Sequence, residues 1–152
     1  MLSDNILSKE LKEFKSLFDL TPSISILNYT QKSSYITKFL EKLIEPYEGD
    51  ITVIEGFIPI KKVRMLARVS SCDYAIICNS ILEHKEKINF MKTIDKILRD
   101  SGYLIILEKK DKKLDDIYNL LEEFDYGAIS SIDIFDNYNL IMAKKLHMWG
   151  MD

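Results

Sequence analysis

Residues 73–107 read DYAIICNSILEHKEKINFMKTIDKILRDSGYLIIL. Asp73 to Cys78 is apolar almost throughout, which suits a strand covered on both faces of its sheet. Tyr103-Leu104-Ile105-Ile106-Leu107 has the same character. Between them a charged stretch, roughly Lys85 to Arg99, carries Ile88, Met91, Ile94, Ile97 and Leu98 at helical spacing. Ser101-Gly102 then reads as a helix-ending turn. Strand, amphipathic helix and strand make a unit whose two strands run parallel.

The same alternation extends in both directions. Upstream, Asp4 to Phe18 places Leu7, Leu11, Phe14 and Phe18 on one helical face, and Thr21-Pro22-Ser23 ends that helix. Residues 24–28 form a short apolar strand. Ser33 or Ser34 can cap the next helix, whose inward face is Ile36, Phe39, Leu40 and Leu43. Pro46 and Gly49 close it, and residues 51–55 form the second strand. Pro59 suits the first turn of a helix running to about Val69. Downstream, Asp111 can cap a helix from Lys112 to Phe124 with Leu114, Ile117, Tyr118 and Leu121 inward, and Gly127 ends it. Residues 129–135 and 138–145 read as two strands joined at Asp136-Asn137, a hairpin turn.

The predicted fold is therefore α/β: a doubly wound, mainly parallel sheet of about six strands with helices on both faces. The terminal hairpin makes one outer strand antiparallel. The chain has 152 residues and no linker or repeat, so residues 1–152 are read as one domain. Its N-terminal helix falls within residues 1–20, and residues 146–152 are a tail.

Composition excludes several classes. At 47% hydrophobic and 30% charged, the chain reads as globular, and its net charge of -3 gives no overall attraction to nucleic acid or an anionic membrane. Its start is acidic and amphipathic, unlike a signal peptide or a membrane span. Two cysteines make no disulfide framework and complete no zinc pattern, so a reducing cytoplasm and no metal are expected. There is no Gly-x-x-x-x-Gly-Lys-Ser/Thr and no Gly-x-Ser-x-Gly, which argues against a P-loop nucleotide hydrolase and a nucleophile-elbow hydrolase.

The run from Asp73 through Leu82-Glu83-His84, the charged helix and the strand Tyr103-Leu104-Ile105-Ile106 resembles the Rossmann-like (class I) S-adenosylmethionine-dependent methyltransferases. The final hairpin, ending Tyr138 to Lys145, resembles that family's last two strands. The resemblance covers residues 73–145 and is weak over residues 20–72. A receiver-like doubly wound fold is the rival, against which the antiparallel hairpin argues.

The resemblance implies three contacts for S-adenosylmethionine. A glycine-rich turn after the first strand lets backbone approach the ligand. Here that place is Asn28-Tyr29-Thr30-Gln31-Lys32-Ser33, with no glycine. An acidic residue ending the second strand holds the ribose hydroxyls, and Glu55 stands there. An extra strand and loop hold the adenine. Only residues 56–72 separate Glu55 from Asp73, too few for helix, strand and helix, so one edge strand is expected to be missing.

In open parallel sheets ligands bind beyond the carboxyl ends of the strands where their order reverses. That places Asn28, Tyr29, Thr30, Glu55, Gly56, Asn79 and Ser80 at the candidate cofactor site. The expectation is a reduced site that binds S-adenosylmethionine weakly or not at all.

Each candidate has a plainer reading. Glu55 can be a solvated carboxylate at a strand end. Glu83 and His84 can be an acid/base pair near a substrate, but a helix-start Glu and an exposed His are the simpler account. Asn79 can simply satisfy loop backbone. Cys78 in a central strand is a small buried hydrophobe and not a redox partner of Cys72. Lys61, Lys62, Arg64 and Arg68 read as a solvated face, so no nucleic-acid partner is expected. The tail Leu146-His147-Met148-Trp149-Gly150-Met151-Asp152 would expose Trp149, so it either packs on its own domain or docks on a partner.

Two functions are compatible with these residues. One is a non-catalytic binding or assembly module on a methyltransferase-like domain, a homo-oligomer or a partner-bound protein using the Trp149 tail. The alternative is a divergent S-adenosylmethionine-dependent methyltransferase of unknown substrate.

Overall fold

The computed structural model of the chain describes residues 6–30, 35–56, 60–78, 86–110 and 114–146. The strands are β1 (Ser25–Thr30), β2 (Asp50–Glu55), β3 (Cys72–Cys78), β4 (Leu98–Lys109), β5 (Tyr126–Ser131) and β6 (Tyr138–Lys145). The helices are α1 (Ser8–Lys15), α2 (Tyr35–Ile44), α3 (Ile60–Leu66), α4 (Lys87–Ile97) and α5 (Asp115–Glu123). The strands form one six-stranded sheet in the order β2-β1-β3-β4-β6-β5. The caps expected at Ser33, Ser34 and Asp111, and the first-turn Pro59, lie outside the described residues.

The order of the strands decides where the helices go. From β1 the chain crosses to β2 through α2, then returns past β1 to β3 through α3. Right-handed crossovers put a connecting helix on opposite faces when the direction of travel reverses. Accordingly Ile36, Leu40 and Leu43 of α2 pack with Phe14 and Phe18 against Ile26, Ile76 and Ile105. Val63 of α3 joins Phe90, Ile94, Ile97, Ile117 and Leu121 against Leu27, Ala75, Ile77 and Ile106 on the other face. Alternate residues of each central strand thus feed two separate apolar layers. Each large side chain so buried contributes about 1.5–3 kcal/mol.

The structure corrects the sequence reading at five places. First, β1 runs on through Thr30, so Asn28-Tyr29-Thr30 is strand and not turn. Second, β4 begins at Leu98, and Ser101-Gly102 lies within it. Ser101 takes a φ of 67°, and the β3–β4 register shifts between Cys72 and Tyr74. A Cβ on Gly102 would stand 2.9 Å from the carbonyl oxygens of both Arg99 and Asp73, so the glycine allows close backbone approach and ends no helix.

Third, Ile88 is 42% exposed while Phe90 is fully buried. At about 100° per residue, Ile88 points almost opposite the stripe of Phe90, Ile94 and Ile97. Fourth, α5 ends without Gly127, which belongs to β5, and Asp125 takes the left-handed φ of 59° beyond the helix. Fifth, β5 and β6 are joined by residues 132–137, not by a two-residue turn. The antiparallel strand is β6, which lies inside the sheet between β4 and β5.

The β5–β6 link is long because it covers the sheet. Ile134 and Phe135 are buried, and the Phe135 ring lies 5.5 Å from that of Phe14 in α1. Glu10 fastens the same contact. Its buried carboxylate accepts the Leu7 N–H at 2.9 Å and the Asp136 N–H at 2.8 Å. Replacing Glu10 by Ala leaves both amides without that acceptor and is expected to cost about 2–3 kcal/mol. Urea unfolding followed by circular dichroism checks this; an unchanged midpoint would show that α1 holds without the carboxylate.

Candidate cofactor site

β1 is the strand at which the sheet's order reverses, since it pairs in parallel with both β2 and β3. Its last residue, Thr30, is level with Glu55 on one side and Cys78 on the other. Three strand ends therefore form one rim, at the place where open α/β sheets receive ligands. The Gly56 N–H donates to the Thr30 carbonyl at 2.8 Å, turning the chain over that rim. Gly56 has a φ of 76°, a conformation that suits glycine. A Cβ placed on it would meet none of the described residues within 4 Å, so among these residues nothing fills the space beside Gly56.

The candidate residues divide sharply. Glu55 is exposed at the end of β2. Asn28 is fully buried. The Thr37 hydroxyl donates to its Oδ1 at 2.6 Å, and its Nδ2 donates to the Ile76 carbonyl at 3.1 Å and lies 3.8 Å from Cys78 Sγ. This carboxamide ties β1 to α2 and β3. Tyr29 points to the other face, where its ring meets Phe90 at 4.7 Å. Thr30 is also buried. Asn28 and Tyr29 therefore leave only their backbone toward the rim. Asn79, Ser80, Glu83, His84 and Trp149 lie outside the described residues, as do residues 31–34 immediately after β1.

One rim residue escaped the sequence reading. Glu108 is a buried carboxylate at the C-terminal end of β4, one residue beyond the partner of Cys78. The available signal was a single acid closing the apolar run Tyr103 to Leu107, at the edge where strand ends meet ligands. Its charge also reaches Cys78. Burial pushes the Cys78 thiol up to about 12, the Asn28 contact opposes this, and the Glu108 carboxylate adds to it.

Cys72 stands at the opposite end of β3, buried and likewise raised by burial. Neither cysteine forms a disulfide. Among the described residues no group of three His, Cys, Asp or Glu side chains could hold a metal ion, and no helix is long and apolar enough to cross a membrane.

The sequence matches no protein-family model and no curated protein. Solved structures do match the fold. An S-adenosylmethionine-dependent methyltransferase from Aquifex aeolicus superposes with a TM-score of 0.71 at 13% identity, over 90% of this chain and 89% of that one. An S-adenosylmethionine-dependent O-methyltransferase from Thermotoga maritima gives 0.69 at 11% identity, over 97% of this chain and 69% of its own. A phosphoethanolamine N-methyltransferase from Haemonchus contortus, solved with S-adenosylhomocysteine, gives 0.69 at 10% identity, over 97% and 54%. The fold is that of the Rossmann-like, class I methyltransferases.

The buried thiols yield a test. Native protein is expected to release no colour from a thiol-reactive disulfide at pH 8, and both cysteines should react once urea unfolds the chain. The folded pKa of Cys78 lies above that of an unfolded thiol. Its contribution to stability is therefore complete below about pH 9 and declines as pH rises toward about 12. Rapid modification of native protein would place a thiol at the surface.

Proposed function

We propose that this methyltransferase-fold domain has a reduced cofactor site and works as a non-catalytic binding or assembly module. The observation that carries this reading is the open edge at β2. The β2–β3 connection carries α3, which packs on the face opposite α2. Among the described residues no strand lies beyond β2, so no further strand stands beside Glu55 and Gly56 to wall in an adenine ring. The absence of glycine from residues 31–33, immediately after β1, supports the same reading, because side chains there would restrict close backbone approach.

The module's partner is another copy of the chain or a second protein, engaged through the Trp149 tail. Deleting residues 147–152 is expected to lower the oligomeric state or abolish partner binding, read by light scattering on a sizing column. An unchanged mass and melting temperature would remove the tail from this role.

A divergent methyltransferase is the second reading, favoured by Glu55 at the end of β2 beside the switch point. Its carboxylate would accept hydrogen bonds from ribose hydroxyls, and the backbone of residues 28–30 would border the methionine end. Asn79, Ser80, Glu83 and His84 would face the acceptor, with Glu83 and His84 moving its proton. When bound, S-adenosylmethionine supplies the methyl group on its sulfonium, and alignment of acceptor and methyl carbon would be the domain's main task.

Isothermal titration with S-adenosylmethionine and S-adenosylhomocysteine separates the two. No heat at millimolar ligand is expected. Micromolar binding that weakens about tenfold in Glu55→Ala would overturn the reduced-site reading and assign Glu55 to the ribose.

A further inference from the structure

The segment after β2 leaves an apolar and cationic surface uncovered. In α3 and the turn after it, Met65 is 78% exposed, Leu66 54% and Val69 72%. Three large apolar side chains so close together are costly to leave in water, in contrast to scattered single ones. The cations Lys61, Lys62 and Arg68 stand among them, all exposed, and residues 60–71 contain no carboxylate. From α4, Lys92 and Lys96 are exposed as well. The single acid within α4, Asp95, is half-buried, and the Lys145 ammonium stands beside it, donating to the Asp95 carbonyl. This local excess of positive charge sits on a chain whose net charge is -3.

Between the end of α3 and α4 lies a groove of about 380 Å³, lined by Ala67, Arg68, Val69, Thr93, Lys96 and Ile97. Its walls are fixed to each other. The Ser70 N–H donates to the Lys96 carbonyl at 2.7 Å and the Ser71 N–H to the Ile97 carbonyl at 2.9 Å. The Ser71 hydroxyl closes the turn on the Arg68 carbonyl at 2.6 Å. The groove is therefore held in shape before anything enters it, which lowers the ordering cost of binding.

We propose that this groove docks an acidic segment of a partner protein, with one apolar side chain seated between α3 and α4 and carboxylates facing Arg68 and Lys96. Charge complementarity selects the acidic character. The concave, partly apolar lining selects a protein side chain, because a bilayer surface cannot fill a recess. A nucleic acid would set phosphates against Met65, Leu66 and Val69, and the described surface here offers no aromatic ring for base stacking. The surface is separate from the strand-end rim, so the inference stands whether or not S-adenosylmethionine binds.

Fluorescence anisotropy tests it with labelled Glu-rich peptides bearing one central Leu or Phe. Controls carry Gln for Glu or Ser at the centre, and vesicles of phosphatidylserine and phosphatidylcholine run in parallel. Binding of the acidic apolar peptides alone is expected, weakened about tenfold or more in Arg68→Glu, Lys96→Glu and Val69→Asp. Lys42→Glu, on the opposite face, should leave it unchanged, and thermal melting verifies that each variant folds. The proposal is overturned if no acidic peptide binds, if the Gln controls bind equally, or if Lys42→Glu weakens binding as much as Arg68→Glu. It is overturned equally if the groove variants abolish only vesicle binding or only self-association.

Discussion

The position of β1 governs the rest of the molecule. It is hydrogen-bonded on both edges and buried on both faces, so every residue from Ile26 to Thr30 must be accommodated inside. Leu27 and Tyr29 feed one apolar layer and Ile26 the other. Asn28 and Thr30 are the polar exceptions, and the burial of Asn28 is tolerable because both ends of its carboxamide are engaged. The helices take their faces from the direction in which the chain leaves and repasses this strand.

That arrangement also shapes the candidate site. A strand whose side chains are all committed to packing can present only backbone at its end. The adjoining rim then depends on β2, which is an edge strand, and on the connection from β2 to β3. The chain devotes that connection to a helix on the far face. The edge position of β2 among the described strands and the exposed α3 surface thus have one origin, a short connection routed to the other side of the sheet.

Much of the architecture was legible because both periodicities were clean. The apolar runs at 73–78 and 103–107 marked buried strands, and Ile36, Leu40 and Leu43 marked the inward side of α2. Failures arose where long-range packing overrode local signals. Gly102 looks like a helix end but serves the close approach of β3 and β4. Residues 132–135 look like strand because their apolar side chains cover the sheet from outside a ladder. The position of Glu55 at the end of β2 was readable from its place after an apolar run. The inward commitment of Asn28 was not, because its partners Thr37 and Ile76 come from two other elements.

The Glu10 clasp joins residues 126 positions apart in the chain. Helix α1 leaves the ribosome before any strand of the sheet, yet its resting place is made by the link between the last two strands. Until that link exists, Phe14 and Phe18 have only part of their cover. Part of the seat of the first helix is thus supplied by almost the last residues of the domain, while Phe39 and Tyr74 supply the rest from α2 and β3.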